Sequence, residues 1–429
     1  MQGEEIQKYI SDFAGRFHPE NIRLKKVKSL LSIITGGDVD SDGSVEAMVL
    51  ALKHDIKWQR AQAYTIKHLS EVVAEKPFMQ TIDIDTRINN IFNLVRAGII
   101  KILPRILQVR INELYFERKQ SEMQLAVIAP KDAENEIPWY LVHYYCIDLL
   151  SHIIKLFYTK GTVSTLREYL PKMLKSGTVE ALMTFVSDKE PCALTTCSSI
   201  RALCHLCEKS QEACERAVFC GAIPQLGQII YKDNAAKFLY HWLSRDPNDF
   251  ELRILDRNHG GLLPYNMENS IIPIAHKPYE TRAEYQRVAE DWSHSLQTQS
   301  IRMLRYCIEL NDRHRQLLLK DPITLKAILK WLRSAPSSPH DRGMVEQSAK
   351  ILSSLVLNRD MAWTLVKDYN IVAVLEIGIY HPQREEVVSF LHACANLAMH
   401  TGKVKNKVGE SEALLRGVAL HLGGTVVPM

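Results

Sequence analysis

The chain has 429 residues, of which 46% are hydrophobic and 24% are charged. This composition supplies enough apolar surface for a folded core and excludes an intrinsically disordered protein. The formal net charge is only +4, because 53 basic residues are balanced by 49 acidic ones. We therefore expect no nucleic acid among its partners.

The N-terminal sequence, MQGEEIQKYISDF, contains acidic residues and no apolar run, unlike a mitochondrial presequence or a secretory signal. No stretch approaches the ~18 uninterrupted apolar residues that a membrane-spanning helix needs. The nine cysteines are an odd number, and six of them lie between Cys192 and Cys220. This usage favours a reducing compartment over a disulfide framework. We predict a cytoplasmic protein without a membrane span.

Residues 1–55 contain three helical patterns, and we expect them to form an atypical helical N-terminal cap. Within this segment, Asp38 to Glu46 places acidic residues and a glycine at the first positions of a calcium loop. Val49 stands where the bidentate glutamate of such a loop belongs. We interpret the segment as a turn followed by a capped helix, and we predict no metal ion there.

A repeated pattern begins after the cap and is clearest between Ser199 and Ile230. The chain reads SIRALCHLCEKSQEACERAVFCGAIPQLGQII, which is a helical pattern, a polar break, a second helical pattern and then Gly-Ala-Ile-Pro before a third. Gly221 stands at the chain reversal, and Pro224 lies in the first turn of the next helix, where its missing N–H costs nothing. Weaker copies surround Gly98, Gly177, Gly260 and Asn370.

The spacing of these turns is regular. Gly177 and Gly221 are 44 residues apart, and Gly221 and Gly260 are 39 apart, close to the roughly 40–47 residues of armadillo and HEAT units. Asn370 replaces glycine because asparagine tolerates the left-handed conformation that we expect at this turn. The sequence thus resembles the armadillo family. The resemblance implies an all-α fold, a right-handed α-solenoid of about seven armadillo/HEAT-like repeats, acting as a binding surface and not as an enzyme.

We expect the repeat array to occupy residues 56–429. Its units are predicted at residues 58–107, 139–186, 195–231, 234–265, 297–332, 344–379 and 385–422. Two polar insertions, near 112–138 and 266–292, are predicted to form loops, with Trp292 anchoring the second one.

In armadillo proteins, an asparagine on the third helix of each repeat holds the backbone of an extended peptide. In this chain the corresponding residues are His68, His205, His241, Tyr306, Ser354 and Asn396. Only Asn396 keeps the family's residue, although histidine, tyrosine and serine also form hydrogen bonds.

One helical turn before each of these positions stands another polar residue on the same face. These residues are Tyr64, Arg201, Lys237, Arg302, Lys350 and His392. We predict that the four lysines and arginines form a basic ridge in the concave groove, which binds an acidic or phosphorylated segment of a partner. The alternative is that they are ordinary solvated charges on helix surfaces.

The cysteines of the clearest repeat include the pair Cys204 and Cys207, which has the spacing of a zinc ligand pair. No second pair is placed to complete a tetrahedral site, so we interpret both as small core residues and predict no metal. A redox role for Cys214 or Cys220 stays open.

These patterns predict a non-catalytic interaction scaffold or adaptor with protein partners and no cofactor. The alternative is a regulatory or structural subunit of a larger assembly, whose array senses a small anion such as a nucleotide. In the last helical pattern, Leu414, Leu415 and Val418 are followed by no polar capping repeat. This end is predicted either to dock on a further subunit or domain, or to fold back on the preceding helix.

Overall fold

The computed structural model describes a subset of the 429 residues. These are residues 66, 69, 91–109, 139–157, 168–186, 193–232, 282–334, 336–381, 384–421 and 423. The described part contains helices and no strand, so the predicted all-α class is confirmed. The predicted cap, the calcium-like segment, the insertion near 112–138 and the unit at 234–265 lie outside it.

The chain divides into two compact units. The first comprises residues 1–185, 190–205 and 237–288, and the second comprises residues 186–189, 206–236 and 289–429. The described helices of the first unit are α1 (Ile99–Val109), α2 (Trp139–Phe157), α3 (Tyr169–Lys175), α4 (Thr178–Met183) and α5 (Ala193–Lys209) as far as His205.

In the first unit, α1 packs against α2, α3 and α4. Gly98 and Gly177 precede α1 and α4 with φ of +93° and +80°, as the turn pattern predicted. The Ser176 hydroxyl donates to the carbonyl oxygen of Ile100 at 3.0 Å, and the Gln108 amide donates to the carbonyl oxygen of Gly177 at 3.4 Å. These bonds join the turn before α4 to the neighbouring helix.

The second unit contains the rest of the described helices. They are α6 (Gln211–Phe219), α7 (Ala222–Tyr231), α8 (Arg282–Glu309) from Ala289 onward, α9 (Asp312–Lys320), α10 (Pro322–Arg333), α11 (Pro339–Leu355), α12 (Arg359–Tyr369), α13 (Ile371–Ile379), α14 (Arg384–Ala398), α15 (Lys403–Gly409) and α16 (Glu412–His421). Because α8 begins at Arg282, the predicted insertion at 266–292 is wrong in its last residues. Trp292 is 1% exposed on this helix, so it serves the core and not a loop.

The helices of the second unit form armadillo-like triplets. The first helices are α6, α9, α12 and α15, the second helices are α7, α10, α13 and α16, and the third helices include α8, α11 and α14. Each second helix packs on the next one, from α7 to α10, α13 and α16. The first and second helices of each triplet also pack together. Among the described helices, α7 therefore neighbours α10 directly.

Local sequence signals set the helix boundaries. Gly221 and Asn370 precede α7 and α13 with φ of +85° and +49°, which confirms the left-handed turn predicted at both positions. Asn311 caps α9 by accepting a hydrogen bond from the backbone N–H of His314. Ser338 and Asp341 form a reciprocal capping box at the start of α11.

The third helices α8 and α11 are joined by His340 at the start of α11. Its ring lies against His294 of α8, with the centroids 4.0 Å apart, and meets the Trp331 ring edge-on. The two ring nitrogens of His340 hydrogen-bond to Thr298 and Gln297, each at 3.2 Å. Burial first, and then the charge of His294, lowers the pKa of His340 to about 4.

Candidate functional site

The predicted binding residues are divided among several helices. Arg302 and Tyr306 lie on α8, Lys350 and Ser354 on α11, and His392 and Asn396 on α14. Arg201 and His205 lie on α5 in the first unit. Tyr64, His68, Lys237 and His241 lie outside the described residues. The structure thus brings three of the predicted pairs onto neighbouring third helices of the second unit, and their binding role stays a prediction.

The cations of the predicted basic ridge interact with other groups of the chain. Lys350 forms an ion pair with Glu346, one turn earlier on α11. Arg302 is half-buried and also has an interaction partner within the chain. A ligand that binds Lys350 has to compete with the carboxylate of Glu346, which weakens its net gain.

Other charges around Lys350 are balanced as well. Arg305 contacts Glu309 at 3.5 Å, and Arg315 contacts Asp312 at 2.5 Å. Burial raises the pKa of Glu309, and the nearby charges of Arg305, Lys350 and Arg315 oppose this rise. Carboxylates therefore lie close to the cations at the end of α8, and Arg305, Arg315 and Lys350 are each paired with an acid of the chain.

Two of the polar side chains predicted to hold a peptide backbone make contacts between helices. The Asn396 amide donates to the carbonyl oxygen of Ser353 at 2.9 Å and to its hydroxyl at 3.1 Å. The hydroxyl of Ser354 accepts a hydrogen bond from Nε of Arg315 at 3.1 Å. A peptide that bound through these groups would have to displace both contacts.

A different surface of the second unit presents positive charge beside a cavity. We call it the α10–α12 groove, because it lies between α10 and the junction of α12 with α13. Its volume is about 700 Å³. It is lined by Lys326, Leu329, Lys330, Arg333, Ser334, Asp368, Tyr369 and Asn370.

The cations of this groove follow from the sequence KAILKWLR of α10. Lys326, Lys330 and Arg333 are spaced by four and three residues, which places them along one exposed stripe of the helix. The apolar residues between them, including Leu329, turn inward and are buried. The sequence alone predicts this stripe of cations. The opposite wall of the groove is formed by residues 368–370, which lie near α10 only in the folded chain.

These cations differ from Lys350 in their partners. In the described part of the chain, none of Lys326, Lys330 and Arg333 forms an ion pair with a carboxylate. The Lys330 ammonium lies 5.7 Å from the centroid of the Tyr231 ring. The Arg333 guanidinium donates to the carbonyl oxygen of Tyr369 at 3.2 Å, at the end of α12 where the helix dipole is negative. Asp368 is the carboxylate that lines the groove.

A second polar cluster of this unit consists of buried thiols. The sulfur atoms of Cys207, Cys214 and Cys307 lie within 4.8 Å of one another. Hydrogen bonds from Cys207 and Cys307 lower the pKa of Cys214 to about 5, and the nearby charge of His314 also contributes. The same hydrogen bonding, together with burial, raises the pKa of Cys207. The prediction that Cys204 and Cys207 are buried core residues is confirmed.

The remaining surface shows some exposed apolar side chains. On α16, Leu414 is buried, but Leu415 and Leu420 are 50% and 56% exposed. A further subunit at this end stays a prediction. Among the described helices, none combines the length and the apolar composition that a membrane crossing requires.

No family model matches the sequence, and no curated protein matches it either. Among solved structures, a computationally designed armadillo repeat protein for modular peptide recognition is similar over 82% of this chain and 99% of its own, with 11% identity and a TM-score of 0.48. Another designed armadillo repeat protein shows the same coverage and TM-score with 12% identity. A third, in complex with the peptide (KR)4, covers 82% of this chain and 98% of its own, with 12% identity and a TM-score of 0.46. These similarities are weak, and the armadillo-like arrangement is defined by the chain's own helix contacts.

Proposed function

We propose that this chain is a protein-binding scaffold, and that it recognises an acidic or phosphorylated segment of its partner in the α10–α12 groove. One observation carries this proposal. Lys326, Lys330 and Arg333 stand on one stripe of a helix beside a cavity of about 700 Å³, and no described carboxylate pairs with them.

The rigidity of α10 favours binding of an anionic segment. Lysine and arginine side chains that project from a packed helix are already positioned, so less entropy is lost for each contact. The planar guanidinium of Arg333 binds carboxylate or phosphate oxygens with two hydrogen bonds, whereas the lysines act as point charges. An acidic or phosphorylated segment is therefore the ligand that complements this stripe.

The dimensions and lining of the groove fit a short peptide. Ligand cavities in proteins measure about 300–1,000 Å³, and they combine apolar walls with a few polar groups. Leu329 and Tyr369 supply apolar surface, while Asp368 disfavours an anion at its own end of the groove. We therefore expect a segment whose negative charges lie over α10 and whose apolar or basic residue lies near Asp368.

The basic ridge of the third helices is the alternative location for the same ligand. Binding there requires the ion pair between Lys350 and Glu346 to open. No such pair has to open at Lys326 or Lys330 within the described residues. The groove is for this reason the preferred location.

The experiment compares three charge-reversed variants in binding a randomised library of peptides rich in Asp, Glu and phosphoserine. The groove variant is Lys326→Glu with Lys330→Glu, and the ridge variant is Arg302→Glu with Lys350→Glu. The control, Lys405→Glu with Lys407→Glu on α15, changes the net charge equally and away from the groove. We expect a loss of roughly ten-fold or more in affinity for the groove variant alone, since exposed charge-assisted bonds contribute about 1 kcal/mol each.

The outcomes separate the competing interpretations. Equal loss in the control variant, or no retained acidic peptide, would overturn the proposal. Loss confined to the ridge variant would place the ligand on the third helices. Displacement of the peptide by ATP, together with a rise in melting temperature on ATP addition, would favour the alternative of a small-anion sensor.

A further inference from the structure

Three buried thiols meet at one point of the second unit, although they come from three different helices. Cys207 lies in the last turn of α5, Cys214 in α6 and Cys307 in α8. Their sulfur atoms lie within 4.8 Å of one another. The exposed fractions of these residues are 5%, 0% and 0%, so solvent does not separate them.

The repeat pattern explains how this cluster forms. Cys214 follows Cys207 by seven residues, and its thiol donates to the carbonyl oxygen of Cys207 at 3.2 Å. His314 follows Cys307 by seven residues, and its Nδ1 lies 2.8 Å from the carbonyl oxygen of Cys307. Cys214 and His314 thus occupy equivalent positions at the starts of consecutive first helices, α6 and α9.

The contact of His314 determines which of its nitrogens carries the proton. A carbonyl oxygen only accepts hydrogen bonds, so Nδ1 has to be the donor. In the neutral ring this leaves Nε2 with its lone pair, which is the tautomer that metal-binding histidines adopt when the other nitrogen is held by a carbonyl. His314 is 5% exposed, so a buried imidazole lies beside the thiol cluster.

The separation of the sulfur atoms is close to that of a metal site. Zinc–sulfur bonds of about 2.3 Å in a tetrahedron place the sulfur atoms about 3.8 Å apart. Since the three sulfur atoms already lie within 4.8 Å of one another, each pair has to approach by at most about 1 Å. We expect side-chain rotation at the three cysteines to account for such a movement.

We propose that Cys207, Cys214 and Cys307 bind a single thiophilic metal ion, with Zn²⁺ as the ion that thiolate ligands favour. Binding replaces the three thiol protons, which are released to solvent, and the three thiolates then outweigh the two positive charges of the ion by one negative charge. Because the ligands lie on α5, α6 and α8, the ion would join helices of successive repeats.

Cys394 provides a comparison, because it is a buried cysteine outside this cluster. Cys394 on α14 is 7% exposed, and burial raises its pKa to about 12, so it stays a neutral thiol. It belongs to none of the metal-competent groups among the described residues. Cys394→Ser is thus a matched control for the loss of one buried thiol.

The experiment titrates the reduced, metal-stripped full chain with Co²⁺ and follows the thiolate-to-cobalt charge-transfer absorption. We expect a band that saturates at one ion per chain, that Zn²⁺ displaces, and that is lost in Cys207→Ser, Cys214→Ser and Cys307→Ser. The control Cys394→Ser should keep the band. Circular dichroism of each variant establishes that it is still helical.

Absence of the band in the wild-type chain would overturn the proposal, and this result does not depend on the folding of any variant. Retention of the full band in all three cysteine variants, or its equal loss in the control, would also overturn it. Elemental analysis of the chain purified without chelator provides a second measurement, with about one zinc per chain expected. None of these results depends on whether the α10–α12 groove binds a peptide.

Discussion

Gly227 of α7 lies directly against Thr324 of α10. A β-carbon at position 227 would come within 1.7 Å of the Thr324 hydroxyl oxygen and 2.8 Å of its α-carbon. Thr324 also donates a hydrogen bond to the carbonyl oxygen of Ile223, one turn earlier on α7, at 3.1 Å. The second helices of consecutive repeats therefore approach so closely at this point that only glycine fits.

This contact predicts that Gly227→Ala destabilises the second unit. The added methyl group meets backbone as well as side-chain atoms of α10, so the helices have to separate, at a cost of about 1–3 kcal/mol. Gly343→Ala on α11 is the control, because a β-carbon there meets no atom within 4 Å. In this control, the higher helix propensity of alanine should stabilise the protein by about 0.5–1 kcal/mol. Urea denaturation measures both, and equal effects of the two variants would contradict the close approach.

The turns before the second helices were predictable because they depend on local chemistry. Gly177, Gly221 and Asn370 have positive φ, and these residue types adopt that conformation at low cost. The ion pair of Lys350 with Glu346 was also readable, since the two residues are one helical turn apart. The basic ridge was predicted from the positions of its lysines and arginines alone, and the acidic residues beside them were not considered.

The groove and the thiol cluster were not predictable, because each depends on contacts between distant parts of the chain. Asp368 and Tyr369 reach the groove because α13 packs against α10 and α12 packs against α13. Cys307 joins Cys207 across one hundred residues of sequence. The sequence therefore indicates Cys204 and Cys207 as a pair, whereas the cluster of Cys207, Cys214 and Cys307 is assembled only by the fold.

We predict that the free energy of unfolding depends on pH through His340, which lies between α8 and α11. Burial and His294 lower the pKa of His340 from 6.5 to about 4, so the unfolded chain takes up this proton more readily than the folded one. The stabilising contribution is complete above pH 6.5 and is lost as the pH falls to about 4. The loss amounts to at most about 3 kcal/mol.

Urea denaturation between pH 7 and pH 4, in the wild-type chain and in His340→Gln, measures this effect. The variant keeps a polar side chain that does not titrate, so its stability should vary less over the same range. Parallel pH profiles for the two proteins would show that His340 does not carry the dependence.

We predict that the amide of Asn396 stabilises the fold and does not contribute to peptide binding. Asn396→Ala removes two hydrogen bonds to Ser353, so we expect a loss of about 1–2 kcal/mol in the free energy of unfolding. The affinity for an acidic peptide should change less than two-fold, roughly, because the α10–α12 groove does not include this residue. Fluorescence polarisation with a labelled peptide gives the affinity. A large loss of affinity with unchanged stability would instead assign Asn396 the peptide-binding role of the family.

The most direct test of the proposed function is hydrogen–deuterium exchange of the full chain with and without the tightest acidic or phosphorylated peptide from the library. The account predicts slower exchange in residues 322–334 and 366–371, which form the two sides of the α10–α12 groove, and an effect that weakens as salt is added. Protection confined to α8, α11 and α14, with residues 322–334 unchanged, would contradict it.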